Sequence, residues 1–207
     1  MLKRTKGYLL LILLVVTGLA SQVSNNTISS KERRHLTHHL KETRDELLQS
    51  IKGLSHAQLA FKPSPDQWSI RHCMQHITLA EVNLKTLAEE TLKEKANRTA
   101  GDSAMLTDAA ILHRISSSEH KMEMIPALSP AANRWKTDEE MIEAFKETHN
   151  ALVKFTRTTT DDLRSHITDA PFGRVDVYQV VLGVSAHTAR HTRQIEAIKA
   201  NAAFPKH

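Results

Sequence analysis

The amino-acid sequence predicts an all-α fold: a four-helix bundle with a long crossover between its second and third helices, preceded by a signal peptide. Three observations carry that reading. Four segments repeat apolar residues every three or four positions, the period that lays one stripe along an α-helix. The apolar content, 40% of 207 residues, is mostly Leu, Ile, Val and Ala with only 4% aromatic, which suits helices better than a sheet-rich core. No segment alternates apolar and polar residues for long enough to compete as a strand. At this length one domain forms around a single core.

Taken in order, Lys3, Arg4 and Lys6 precede an apolar run from Tyr8 to Ala20 that ends in the small residues Gly18 and Ala20. These are the parts of a secretory signal, cleaved here after Ala20. The run is short of the roughly 20 residues a spanning helix needs, so no stable membrane insertion is expected after cleavage; a retained N-terminal anchor is the alternative. Residues 21–30 read as a flexible tether and residues 31–207 as the bundle. Export, to the periplasm, suits a chain whose single Cys73 is buried and inert.

The first helix opens near Ser30, lays Leu36, Leu40, Leu47 and Ile51 on one stripe, and stops near Gly53. Pro63 and Pro65 exclude a continuous helix from Ser55 to Ser69, leaving a loop with Phe61 and Trp68 as core plugs. Ser69 is the N-cap of the second helix, whose seam is Ile70, Cys73, Ile77, Ala80, Leu84 and Leu87. After Asn97 comes the crossover, with a looser helical stretch from Met105 to Met124 that ends near Pro126. The third helix starts at the capping pattern Thr137-Asp138-Glu139-Glu140, carries Met141, Phe145, Leu152 and Phe155 on one side, and ends between Thr158 and Asp162. A turn with Pro171, Phe172 and Gly173 leads to the last helix, about Val175 to Asn201.

Removing residues 1–20 takes three positive charges and no negative one from the formal +5, leaving +2. With basic and acidic residues interspersed, there is no basic face with stacking aromatics, and nucleic-acid binding is excluded. A single Cys excludes disulfide frameworks, Cys-based zinc sites and iron–sulfur clusters. Any metal must therefore use His and carboxylate, and the chain has thirteen His.

The last helix carries Val177, Val180, Val181 and Val184, then Ile195 and Ile198, and the directions of His187 and His191 fall within that apolar stripe. Four residues apart, the two imidazoles stack one turn apart on one face and can reach a single ion. One buried His is usually a satisfied core residue. Two inward His at this spacing reverse those odds, because each buried ring needs a polar partner and a shared cation serves both. His76, flanking the seam of the second helix, can supply a third nitrogen from the opposite wall. His72, four before His76, projects further out and reads as surface or outer-shell. His149 flanks the stripe of the third helix with a smaller claim, and His35, His38 and His39 read as solvated. Three neutral imidazoles make a site for a divalent ion, Zn, Ni or Fe, with positions left open. Such an ion could lower the pKa of a bound water or a substrate thiol and polarise a carbonyl. Thr188 stands where a zinc protease would put its general base, so no base is legible.

The entry Trp68-Ser69-Ile70-Arg71 with His76 and Glu81, followed far downstream by His187-Thr188-Ala189-Arg190-His191-Thr192-Arg193-Gln194-Ile195, resembles the DinB-like superfamily over about residues 33–200. The resemblance implies a four-helix bundle whose divalent metal is held by three His, here His76, His187 and His191. It also implies frequent homodimers, and activities that include thiol-dependent transfer with bacillithiol or mycothiol and a hydrolase-like isomerase. The family name does not imply DNA binding. An export signal departs from the usual cytoplasmic member and puts a cytosolic thiol cosubstrate in doubt. Glu81 and Gln194 match recurrent family positions, although Glu81 points to the flank opposite His76 and reads as structural. Arg190, beside the two His, could meet an anionic substrate or a carboxylate. The expected function is an exported metal-dependent hydrolase or thiol transferase acting on a small molecule; the alternative is a non-catalytic bundle that binds metal or a partner.

Overall fold

Helix caps set the ends of the elements. In the computed structural model, which describes residues 28–99, 101–102, 105–117, 129 and 134–206, the Ser29 hydroxyl accepts the Glu32 N–H while the Glu32 carboxylate reaches back to the Ser29 N–H. That reciprocal pair satisfies two orphan donors and opens α1 (Ser30–Ile51), which ends before Gly53 at φ 75°. Ile28 is already buried, so the fold reaches back to residue 28. The expected signal peptide and the tether up to residue 27 lie outside the described residues.

The segment between α1 and the second long helix contains a short helix, α2 (His56–Ala60), where a loop was expected. Pro63 and Pro65 lie beyond it, and Ser55 with Gln58 forms its capping box. Ser69 caps α3 (Ile70–Lys93). Then come α4 (Asp108–Ser116), capped by Thr107, and α5 (Asp138–Thr158), capped by Thr137. Of the looser helical stretch expected over Met105 to Met124, α4 is the described part; Met122, Met124 and Pro126 lie outside the described residues.

The chain also contains strands that the sequence reading lacks. Antiparallel β1 (Ile167–Ala170) and β2 (Gly173–Asp176) form a hairpin around Pro171-Phe172. Four residues per strand are too few to display alternation, and the turn residues alone mark a connection. Gly173, at φ 127°, holds a conformation that side chains disfavour. The open edge of β1 is covered by Asn97, whose amide exchanges two hydrogen bonds with the Ile167 backbone, at 3.0 and 2.7 Å. Asp176 then caps α6 (Val177–Lys199).

The four long helices form a ring in which α1 packs on α6 and α5, and α3 packs on the same two. Side-chain ties fix the directions. Tyr178 donates to the Glu32 carbonyl near one end of the α1–α6 pair and Lys199 to the Ser50 carbonyl near the other, so these two run parallel. Arg33 donates to the carbonyls of Thr156 and Thr159, so α1 and α5 are antiparallel. Arg71 meets Asp138 and Glu81 meets His149, so α3 and α5 are parallel neighbours. A parallel pair needs a return over the full helix length, about 36 Å for α3, and this is why the crossover is long.

The core has two apolar clusters. One packs Leu84 and Ala88 of α3 with Val177, Val180, Val181 and Val184 of α6; the other packs Ile70, Cys73, Met74 and Ile77 with Ile195 and Ile198. The early part of α3 thus meets the late part of α6. Among the described residues, no helix is long and apolar enough to cross a membrane.

Candidate metal centre

His187 and His191 project from the face of α6 between the two clusters, one turn apart, with ring centroids 4.5 Å apart. His76 comes from the facing α3, its ring 4.9 Å from that of His187 and 4.8 Å from that of His191. The Nε2 atoms of His76 and His187 are 3.0 Å apart, within hydrogen-bond reach, so one donates and the other accepts. One ligand atom from each of the three lies within 4.8 Å of the others, and all three residues are buried. With Zn–N bonds of about 2.0–2.1 Å, two nitrogens on one tetrahedral ion stand about 3.4 Å apart. The 3.0 Å between His76 and His187 is within a few tenths of an ångström of that spacing.

The protonation state suits a ligand set. Burial, then the neighbouring His191 and His76, hold the His187 imidazole well below the usual range. Burial and His76 likewise press His191 down to about 3. Both stay neutral at physiological pH. His191 Nδ1 donates to Gln194 Oε1 at 2.8 Å; a carboxamide oxygen only accepts, so the proton sits on Nδ1 and the Nε2 lone pair is left for a ligand.

The site opens into a cavity of about 830 Å³ between α3 and α6. Trp68 forms one wall, its ring 5.0 Å from His76 and stacked at 5.9 Å on His191. It was expected as a core plug, and it does pack on the second apolar cluster, but it also braces two of the three imidazoles. Asp66 is the one carboxylate among the described lining residues. Neither could be assigned to the site from sequence, because both lie in an irregular loop.

The other candidate residues fall in different places. Gln194 and Arg190 line the cavity. The Arg190 guanidinium donates to the carbonyls of Ile115 and Ser117, at 3.2 and 2.7 Å, and so holds the end of α4. His72 is turned away: its Nδ1 accepts the Ser69 N–H at 3.2 Å, as the third residue of the α3 capping box. Glu81 also stands apart, 3.1 Å from His149 Nδ1, while His149 Nε2 donates to the Leu40 carbonyl at 2.7 Å. Burial raises the Glu81 carboxyl, with the His149 contact opposing. This buried pair ties α3, α5 and α1 together away from the cavity. Cys73 is buried, its thiol pushed up to about 12 by desolvation.

A family model described as the DinB superfamily matches residues 39–195. No curated protein matches the sequence. Among solved structures, YfiT from Bacillus subtilis, described as "a probable metal-dependent hydrolase with an unusual four-helix bundle topology", superposes with a TM-score of 0.56 at 14% identity, covering 86% of this chain and 92% of that one. At that identity the likeness is one of fold.

Proposed function

The chain belongs to the DinB superfamily, and from that premise we propose that it is an exported metal-dependent hydrolase or transferase whose divalent ion is held by His76, His187 and His191. The observation that carries the reading is three buried, mutually adjacent imidazoles at the wall of a large cavity. The donor set fits Zn, Ni or Fe, which accept neutral nitrogen ligands. The group contains no fourth protein ligand among the described residues, as a catalytic rather than a closed structural site requires.

Such an ion supplies Lewis acidity to a polar group of the substrate. The protein residues do the rest. Gln194 fixes the tautomer and ring plane of His191, Trp68 braces His76 and His191 from the side, and Asp66 is the lining carboxylate. Export, supported by the basic-then-apolar N-terminal pattern, favours a small-molecule substrate outside the cytosol over a cytosolic thiol partner. Thr188, whose buried hydroxyl has no partner among the described residues, follows His187 in α6.

The test is an activity panel of esters, amides and thiol acceptors, run on tag-free protein stripped by chelator and reloaded with Zn²⁺, Ni²⁺ or Fe²⁺. Activity should appear on reloading and be absent from His187→Ala. If the loaded wild type turns over nothing in the panel, the non-catalytic bundle becomes the better reading.

A further inference from the structure

The lining of the cavity is not uniform along the α3–α6 seam. On the α2 side of the imidazoles it is mixed, with Asp66, Gln67, Gln194 and Asn201 beside the apolar Trp68 and Ile198. On the hairpin side it is formed by Ala80, Leu84 and Leu87 of α3, Ile115 of α4, and Pro171 and Phe172 of the hairpin loop. Two polar side chains, Asn83 and Arg190, border that second arm. The Asn83 amide donates to the Leu79 carbonyl at 2.7 Å, and Arg190 is held by the end of α4. Leu87 lies three turns beyond His76, about 16 Å along the helix axis, so the arm runs far along α3 from the three histidines.

The end of this arm depends on one glycine. Phe172 is 4% exposed and the tip of its ring meets α6 at Gly183, where a Cβ would sit 2.5 Å from the ring's Cζ. Gly183 is one turn before His187 on the same helix face. The missing side chain lets the ring retreat against the backbone and leaves the space in front of it open.

Resting on the metal reading above, we infer that this arm is a binding subsite for an apolar chain, and that the substrate is an acyl or alkyl compound whose polar head meets the three-histidine centre while its tail extends between α3 and the hairpin. An unbranched chain suits an arm lined by apolar side chains of α3, α4 and the hairpin loop. The mixed arm on the opposite side then takes the group attached to the head.

The test uses straight-chain hydroxamates, which pair a metal-binding head with a tail of chosen length, titrated calorimetrically into the zinc-loaded full chain. From acetohydroxamate to hexano- and octanohydroxamate, affinity should rise about threefold to fourfold per methylene, as burying a CH₂ gives, until the arm is full. Gly183→Ala pushes the Phe172 ring into the arm and should abolish most of that increment while acetohydroxamate still binds as in the wild type. Leu87→Trp, at the half-buried far end, should shorten the optimal tail. Equal affinity for short and long tails overturns the subsite and leaves the metal reading intact. Failure of acetohydroxamate itself to bind the wild type overturns the metal reading and this inference with it. A chain-length gain that neither variant changes places the tail elsewhere and overturns the inference alone.

Discussion

Gln194 accepts the Nδ1 proton of His191 at 2.8 Å, from one turn further along the same helix. That contact decides which nitrogen of His191 faces the other two imidazoles. Partners of this kind orient a ligand and are typically worth about 10–100-fold in metal affinity. Gln194→Leu should therefore weaken zinc binding by about that factor in a competition titration with a chromophoric chelator, while Gln194→Glu, which still accepts, should preserve it. Unchanged affinity in Gln194→Leu would detach Gln194 from the site.

Acid should destabilise the metal-free protein through the same cluster. His191 is pressed to about 3 and His187 is lowered as well, whereas an unfolded chain takes up protons with an ordinary imidazole pKa near 6.5. Stability is thus full above that value and falls as pH drops below it, because only the unfolded state gains protons. For His191 alone the loss between pH 6.5 and pH 5 is about 2 kcal/mol, at 1.36 kcal/mol per unit. Urea midpoints measured across this range should fall with pH, and His191→Leu should flatten the slope. An equal slope in that variant would contradict the buried neutral state.

Glu81 and His149 make a separate prediction. Since His149 Nε2 donates to a carbonyl, a single proton lies between Nδ1 and the carboxyl. Glu81→Leu or His149→Phe alone leaves a buried polar group unmet and should cost about 3–5 kcal/mol by chemical denaturation. The double variant Glu81→Leu/His149→Phe should recover much of that loss. Zinc stoichiometry should be unchanged in all three, because the pair does not line the cavity.

Arg164 is the corresponding anchor at the other end of the bundle. Its guanidinium reaches Glu32, Asp108 and Asp176 at 2.8, 2.7 and 3.1 Å and lies 3.7 Å from the centroid of the Tyr178 ring. Arg164→Met leaves three carboxylates facing one another and should lower stability by about 2–4 kcal/mol. The loss should shrink at low pH, where those carboxylates protonate. A loss independent of pH would mean that packing, not charge, dominates there.

How much of this was legible in the sequence follows from the range of each interaction. The caps of α3 and α5 and the spacing of His187 and His191 lie within a turn or two of one helix, where period and side-chain chemistry suffice. Which rod His76 would face required only that the bundle close. The hairpin did not show, because its strands are four residues long, and with it went the place of Phe172 in the cavity. His72 was readable as a neighbour of His76 but not as a cap, since Ser69-x-x-His72 lacks the Glu or Gln that marks a capping box. The Arg164 cluster joins residues from four distant parts of the chain, a pairing that no local pattern announces.

The most direct measurement is the metal content of tag-free protein lacking residues 1–20, determined by elemental analysis on the wild type and on His76→Ala, His187→Ala and His191→Ala. The account predicts close to one divalent ion per wild-type chain and a marked loss in each of the three variants, all still helical by circular dichroism. Full metal content in any one of them would show that its imidazole is not a ligand and contradict the three-histidine centre.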